Sequence, residues 1–150
     1  MTLLVLAAMA LGLPPAEPAV SPVSRGSTLF AVDPRTEQRY PTVRVPYRPD
    51  TICYEWVVFF EPENREIRVR ELVELPAAPA SWGDVATLGL TIAPDGRSGV
   101  SELSDSIADS QISRRWCVGE GDPLGPYRIR VYLGERLLED FQFEMVADSE

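Results

Sequence analysis

Residues 127–133 read Tyr127-Arg128-Ile129-Arg130-Val131-Tyr132-Leu133, with apolar and polar side chains alternating along the run. A period of two puts Tyr127, Ile129, Val131 and Leu133 on one face of an extended chain and Arg128 and Arg130 on the other. On a helix the same residues would be scattered around the circumference, so the segment is committed to a sheet with one dry face and one wet face. The pattern recurs in Thr42-Val43-Arg44-Val45, in Glu66-Ile67-Arg68-Val69-Arg70 and in Asp140-Phe141-Gln142-Phe143-Glu144-Met145-Val146. By contrast Ile52-Cys53-Tyr54-Glu55-Trp56-Val57-Val58-Phe59-Phe60 is apolar on both faces, which marks a central strand partly covered on its second side.

Turn chemistry separates these runs. Pro62-Glu63-Asn64-Arg65 and Pro94-Asp95-Gly96-Arg97 supply loops, and Gly134-Glu135, with glycine first, fits a two-residue type II′ hairpin. Arg128 and Arg130 then face Glu139 or Glu144 across that hairpin. No helix is predicted beyond a turn near residues 104–110. Roughly seven to nine short strands over about 120 residues describe an all-β, antiparallel β-sandwich.

The amino terminus carries an apolar run of 11 residues, Leu3-Leu4-Val5-Leu6-Ala7-Ala8-Met9-Ala10-Leu11-Gly12-Leu13, followed by Pro14-Pro15-Ala16-Glu17-Pro18-Ala19. That length suits the apolar core of a secretory signal peptide and falls well short of the roughly 20 residues that span a bilayer. Residues 1–19 are therefore read as a signal peptide, 20–26 as a flexible lead-in and 27–150 as one domain, periplasmic or secreted, with no stable membrane anchor after processing. In an oxidising compartment Cys53 and Cys117, the only cysteines, read as one disulfide. Closing a loop of this length stabilises a fold by roughly 4 kcal/mol on the chain-entropy account. A separation of 64 residues is unlike a Cys-x-x-Cys redox pair, and two sulfurs without histidine make a poor zinc site.

Composition closes most catalytic options. All 14 basic residues are arginine, and the chain has neither lysine nor histidine. Serine or cysteine nucleophiles activated by imidazole, histidine metal ligands, Schiff bases and the P-loop lysine are all excluded. The net charge of −9 opposes binding to nucleic acid and to anionic membrane surfaces, both of which are recognised through positive charge. No cofactor is expected.

The run Gly121-Asp122-Pro123-Leu124-Gly125-Pro126-Tyr127, continuing through the alternating strand and Gly134-Glu135-Arg136-Leu137-Leu138 to Phe141 and Phe143, resembles the terminal hairpin of immunoglobulin-like domains in exported bacterial proteins. The resemblance covers about 30 residues and implies an immunoglobulin-like sandwich without specifying an activity. Antibody domains place a tyrosine two residues before the second cysteine, where this chain has Arg115. Trp56 and Trp116 also have the opposite strand parity from Cys53 and Cys117. With the tryptophans in the core, the sulfurs point away from it, which predicts a disulfide between neighbouring strands or near a sheet edge.

Four groups of residues are candidate sites. Asp95, Asp105, Asp109, Glu120 and Asp122 lie in acidic loops that could offer oxygen ligands to calcium, but none has the EF-hand spacing, and turn formation accounts for Asp95 and Asp122, so no metal site is assigned. Glu55 is the acid embedded in the apolar strand; burial would raise its pKa, whereas an arginine such as Arg68 or Arg70 beside it at an exposed face makes it structural. Trp82, in the loop Pro79-Ala80-Ser81-Trp82-Gly83, and Tyr40 and Tyr47, in proline-flanked segments, offer rings for a sugar or a protein, although a lone loop tryptophan also serves to plug one end of a sandwich. Residues 42–45, bounded by Pro41 and Pro46, look like an edge strand blunted by proline, and an unprotected edge elsewhere would accept a strand from another protein.

The expected function is an exported, non-catalytic binding or structural module of the bacterial envelope that engages a protein partner through a sheet edge or loops. The alternatives are a small carbohydrate-binding module using the loop aromatics, and a docked subunit or inhibitor of a larger exported enzyme. Intact mass of the protein from its own host is expected to show loss of the first 16 to 19 residues and a deficit of about 2 Da before reduction. A full-length chain with two free thiols would remove both expectations.

Overall fold

The computed structural model describes residues 20–149; the segment read as a signal peptide lies outside them. Each alternating run contributes to a strand, the one at 42–45 only through Arg44 and Val45, and the turns between them divide the strands over two sheets. One sheet has the order β2-β1-β4-β8, from β1 (Ser24–Val32), β2 (Arg39–Pro41), β4 (Cys53–Phe60) and β8 (Gln111–Cys117). The other has the order β3-β10-β9-β5-β7-β6, from β3 (Arg44–Pro46), β5 (Glu66–Glu74), β6 (Thr91–Ile92), β7 (Ser98–Ser106), β9 (Gly125–Leu133) and β10 (Arg136–Val146). The immunoglobulin-like sandwich is thus the observed architecture.

Details differ from the sequence reading for local reasons. Ten strands occur among the described residues rather than seven to nine; β1 and β8 mix apolar and polar residues without a clean period of two, and β2 has only three residues, so alternation does not mark them. Residues 24–26, assigned to the lead-in, already belong to β1, which is irregular at Gly26 (φ 120°). The edge at residues 42–45 splits at Thr42, whose hydroxyl donates to the Arg44 carbonyl (2.8 Å) and accepts from the Arg44 N–H (2.9 Å). That tight turn carries the chain from β2 in one sheet to β3 in the other, where β3 runs parallel to β10 and is the exception to the antiparallel pattern. A one-turn helix, α1 (Val85–Leu88), was not anticipated; Asp84 caps its start and Gly89, in the left-handed conformation, ends it. Residues 104–106 extend β7, and a turn at 107–110 follows.

Gly134 (φ 59°) and Glu135 connect Leu133 to Arg136 as the expected two-residue hairpin. A bulge between Leu137 and Glu139 then shifts the register. Arg128 consequently pairs bidentately with Asp140 (2.8 and 2.6 Å), and Arg130 pairs with Glu74 on the neighbouring strand, in place of Glu139 or Glu144.

Inward residues from the two sheets meet as the alternation demands. Tyr54, Trp56, Val58 and Phe60 of β4 face Ile67, Val69 and Val73 of β5, Tyr127, Ile129 and Val131 of β9, and Phe141, Phe143 and Met145 of β10. The rings of Tyr54, Tyr127 and Phe143 pack at centroid distances of 4.9 to 6.1 Å. The second face of β4 is covered too, as its apolar run implied. Glu55 on that face is 8% exposed and bonds Arg39 (3.2 Å) and Arg115 (3.0 Å), while Arg115 also grips Glu37 (3.1 and 2.7 Å). Arg68 and Arg70 do not reach Glu55, because the turn after β4 carries the chain to the other sheet. The disulfide joins Cys53 and Cys117, which are register partners on the neighbouring strands β4 and β8, with Cα atoms 3.8 Å apart. Both tryptophans occupy the opposite, inward face, in accord with strand parity.

Glu71 is the charged group wholly enclosed by this core, at 0% exposure. Trp56 and Trp116 both donate their indole N–H groups to its Oε2, the latter at 3.1 Å. Ser101, its register partner on β7, donates to Oε1 (3.4 Å), and the Arg114 guanidinium lies 3.7 Å from the same oxygen while donating to the Ser101 hydroxyl (2.8 Å). Burial pushes the Glu71 carboxyl above its ordinary range, and the indoles, Arg114 and Ser101 pull it back. Replacing Glu71 by Ala strands two indole N–H groups without their acceptor and leaves the Arg114 guanidinium without its counter-charge. Urea unfolding is expected to show a loss of about 3–5 kcal/mol, against less than about 1 kcal/mol for Arg128→Ala at the surface.

Candidate functional site

β8 ends its sheet with one side unpaired. Bonds from Val118 N–H to the Ile52 carbonyl (3.0 Å) and from Phe60 N–H to the Ser110 carbonyl (2.7 Å) bracket the β4–β8 ladder and fix its phase. Hydrogen-bonded pairs therefore fall at Tyr54–Trp116, Trp56–Arg114 and Val58–Ile112. The backbone N–H and C=O groups of Gln111, Ser113, Arg115 and Cys117 point the other way, to the side with no strand. Among the described residues β8 is the longest strand standing at the end of a sheet: β2 and β3 have three residues each and end in Pro41 and Pro46, and β6 has two, so each covers only part of β1, β10 or β7 behind it. Proline blunting thus applies to the edge anticipated from the sequence and spares β8.

A cavity of about 400 Å³ opens beside the cysteine end of β8. Its walls include Tyr54 and Tyr127 from the core, Trp116 and Cys117 from β8, Trp82 from the preceding loop, and Asp122. The loop is held by backbone contacts. Ala80 N–H donates to the Gly121 carbonyl (3.2 Å), Gly121 N–H donates to the Tyr47 hydroxyl (3.1 Å), and Arg114 donates to the Leu88 carbonyl (3.3 Å). Trp82 donates its indole N–H to the Gly96 carbonyl (2.9 Å) and lays its ring edge beside Gly99. Asp122 accepts from Gly119 N–H (2.8 Å), and burial raises its carboxyl above the ordinary range. Burial likewise raises the Tyr54 and Tyr127 hydroxyls, with the Asp122 charge adding to both. Tyr127 donates to the Pro123 carbonyl (2.9 Å).

The aromatic residues singled out from the sequence do not form one platform. Trp82 lines the cavity, Tyr47 accepts from Gly121 N–H in the loop next to it, and Tyr40 sits half-exposed on β2, lining a separate hollow with Arg35 and Arg48. The acids are dispersed as well. Asp95 accepts from Arg97 N–H (3.0 Å) within its turn and Asp105 from Ser106 N–H (2.8 Å), while Glu120 and Asp122 reach the cavity. No cluster of three or more His, Cys, Asp or Glu residues suited to a metal occurs among the described residues. Sequence reasoning missed Glu71, Arg114 and Trp116 as a group. The signal existed for Glu71, which shares its strand face with Ile67, Val69 and Val73.

Two packed sheets, with a tyrosine at the start of a late strand bonded back to a carbonyl four residues upstream, define an immunoglobulin-like β-sandwich. The chain belongs to the PM0630 beta sandwich domain family, whose profile matches residues 27–146. It is similar in structure to an immunoglobulin-like protein, PA1606, from Pseudomonas aeruginosa, with a TM-score of 0.57 and 14% identity over 85% of this chain and 98% of that one. At that identity the likeness concerns fold. No curated protein matches the chain. The antibody-type disulfide bridges two sheets, whereas Cys53–Cys117 stays within one.

Gly121 has φ 83°, and a Cβ added there would meet the Ala80 Cβ at 2.4 Å. Gly121→Ala is expected to lower stability by about 1–3 kcal/mol and to alter Trp82 emission as the loop lifts, both measurable in a fluorescence-detected urea titration.

Proposed function

We propose that the protein is an exported, non-catalytic binding module of the bacterial envelope that takes an extended segment of a partner protein onto the free edge of β8. The observation that carries this reading is the row of outward backbone groups at Gln111, Ser113, Arg115 and Cys117, with no strand, proline or bulge on that side. An edge of this kind supplies several main-chain hydrogen bonds to any extended chain, and neighbouring pockets for alternate side chains supply selectivity. Export is supported by the apolar amino-terminal run and by the disulfide, and a non-catalytic role by the lack of histidine and lysine. The same edge suits docking onto a larger exported enzyme. A sugar platform draws less support, because Trp82 is engaged by Gly96 and Tyr40 lies elsewhere.

A photo-crosslinking residue at position 111, introduced in the native host, is expected to give a discrete adduct that one at Arg70, exposed on β5 with strands paired on both sides, does not. Ser113→Pro removes an outward N–H and spares the ladder, so the fold should persist within about 1 kcal/mol while adduct yield falls at least about tenfold. An adduct undiminished by Ser113→Pro, or none at position 111, would refute edge pairing.

A further inference from the structure

Resting on the edge-pairing reading above, we propose that the cavity beside β8 receives an arginine side chain carried by the segment that pairs with the edge. Arg115 and Cys117 both line this cavity and both present outward backbone groups, so a chain bonded to them crosses its mouth. Alternate side chains of such a chain point toward the interior of the sandwich, which brings one of them to the opening. A space of about 400 Å³ lies within the range of sites that enclose a long side chain.

The walls select the charge of the guest. Trp82 and Trp116 contribute indole rings, whose faces attract cations, as the Arg114 guanidinium 5.1 Å over the Trp116 ring already shows, while Tyr54 and Tyr127, packed on Phe143, close the inner end. Asp122 is half-buried and bonded to Gly119 N–H, with no arginine in ion-pair range among the described residues, and Glu120 stands at the rim. The nearby arginines are committed: Arg115 to Glu37 and Glu55, and Arg114 to Ser101, the Leu88 carbonyl and Glu71. A neutral apolar guest would strip the remaining water from the Asp122 carboxylate without replacing it, and an acidic guest would repel it. A guanidinium compensates the carboxylate through a planar fork of donors while stacking on indole, a combination that ammonium lacks. The net charge of −9 steers basic partners in the same direction.

The test uses N-acetyl-arginine amide as probe and the ¹⁵N-labelled, disulfide-intact protein, following the indole N–H signals of Trp82 and Trp116. The probe is expected to shift both with a dissociation constant on the order of millimolar, as befits a single side chain. N-acetyl-citrulline amide, the neutral isostere, should bind at least about tenfold more weakly, as should the arginine probe to Asp122→Asn, which keeps an acceptor for Gly119 N–H. Should Asp122→Asn fail to fold, Glu120→Gln serves, with a smaller loss expected. Equal binding of citrulline, indifference to the folded variant, or no indole shift would overturn the assignment. The probe brings no strand, so its failure leaves the crosslinking result at β8 standing. A failed crosslink with intact arginine binding would condemn edge pairing alone.

Discussion

The carboxylate of Glu71 is the interaction on which the geometry of both sheets depends. It rises from β5 in the six-stranded sheet and accepts from Trp56 and Trp116, which descend from β4 and β8 in the four-stranded sheet. Apolar packing alone holds two sheets about 10 Å apart but tolerates sliding. A buried anion with directional donors fixes the offset, because any displacement leaves a desolvated charge without partners. Arg114, drawn to the same carboxylate and to Ser101, ties the edge strand and the loop carbonyl of Leu88 to that fixed point. The cavity beside β8 therefore has a rigid back wall even though its front is a loop.

Fold class was legible because period-two alternation is a direct record of sheet facing. The strand at residues 127–133, the double-sided burial of β4 and the Gly134 turn all follow from it. Parity carried the reasoning further, placing Cys53 and Cys117 on the face opposite Trp56 and Trp116. It failed where pairing depends on partners distant in sequence. Nothing in Glu66-Ile67-Arg68 states that β5 joins the other sheet, so Glu55 was given the wrong arginines. The Leu137–Glu139 bulge, a local insertion into the ladder, likewise redirected Arg128 and Arg130.

The candidate site was less legible, because its defining property is a missing neighbour. An edge strand and a central strand carry similar residues, and β8 shows its free side only once the sheet order is known. Trp82 was visible as a loop aromatic, but its company of Trp116, Tyr54, Tyr127 and Asp122 comes from four other places in the chain. Glu71 was the exception, since an acid in register with Ile67, Val69 and Val73 announces a buried charge to anyone who follows the period one residue further.

The placement of the disulfide has a mechanical consequence. Sulfur atoms that bridged the two sheets would leave β8 attached to its neighbour by backbone hydrogen bonds and the Arg115–Glu55 ion pair, with no covalent link. Here the covalent link pins the edge strand to β4, the best-buried strand of its sheet, at the end nearest the cavity. Any tensile load applied to β8 passes through that pin into the core, so the edge strand resists peeling even where its outer side has no neighbour.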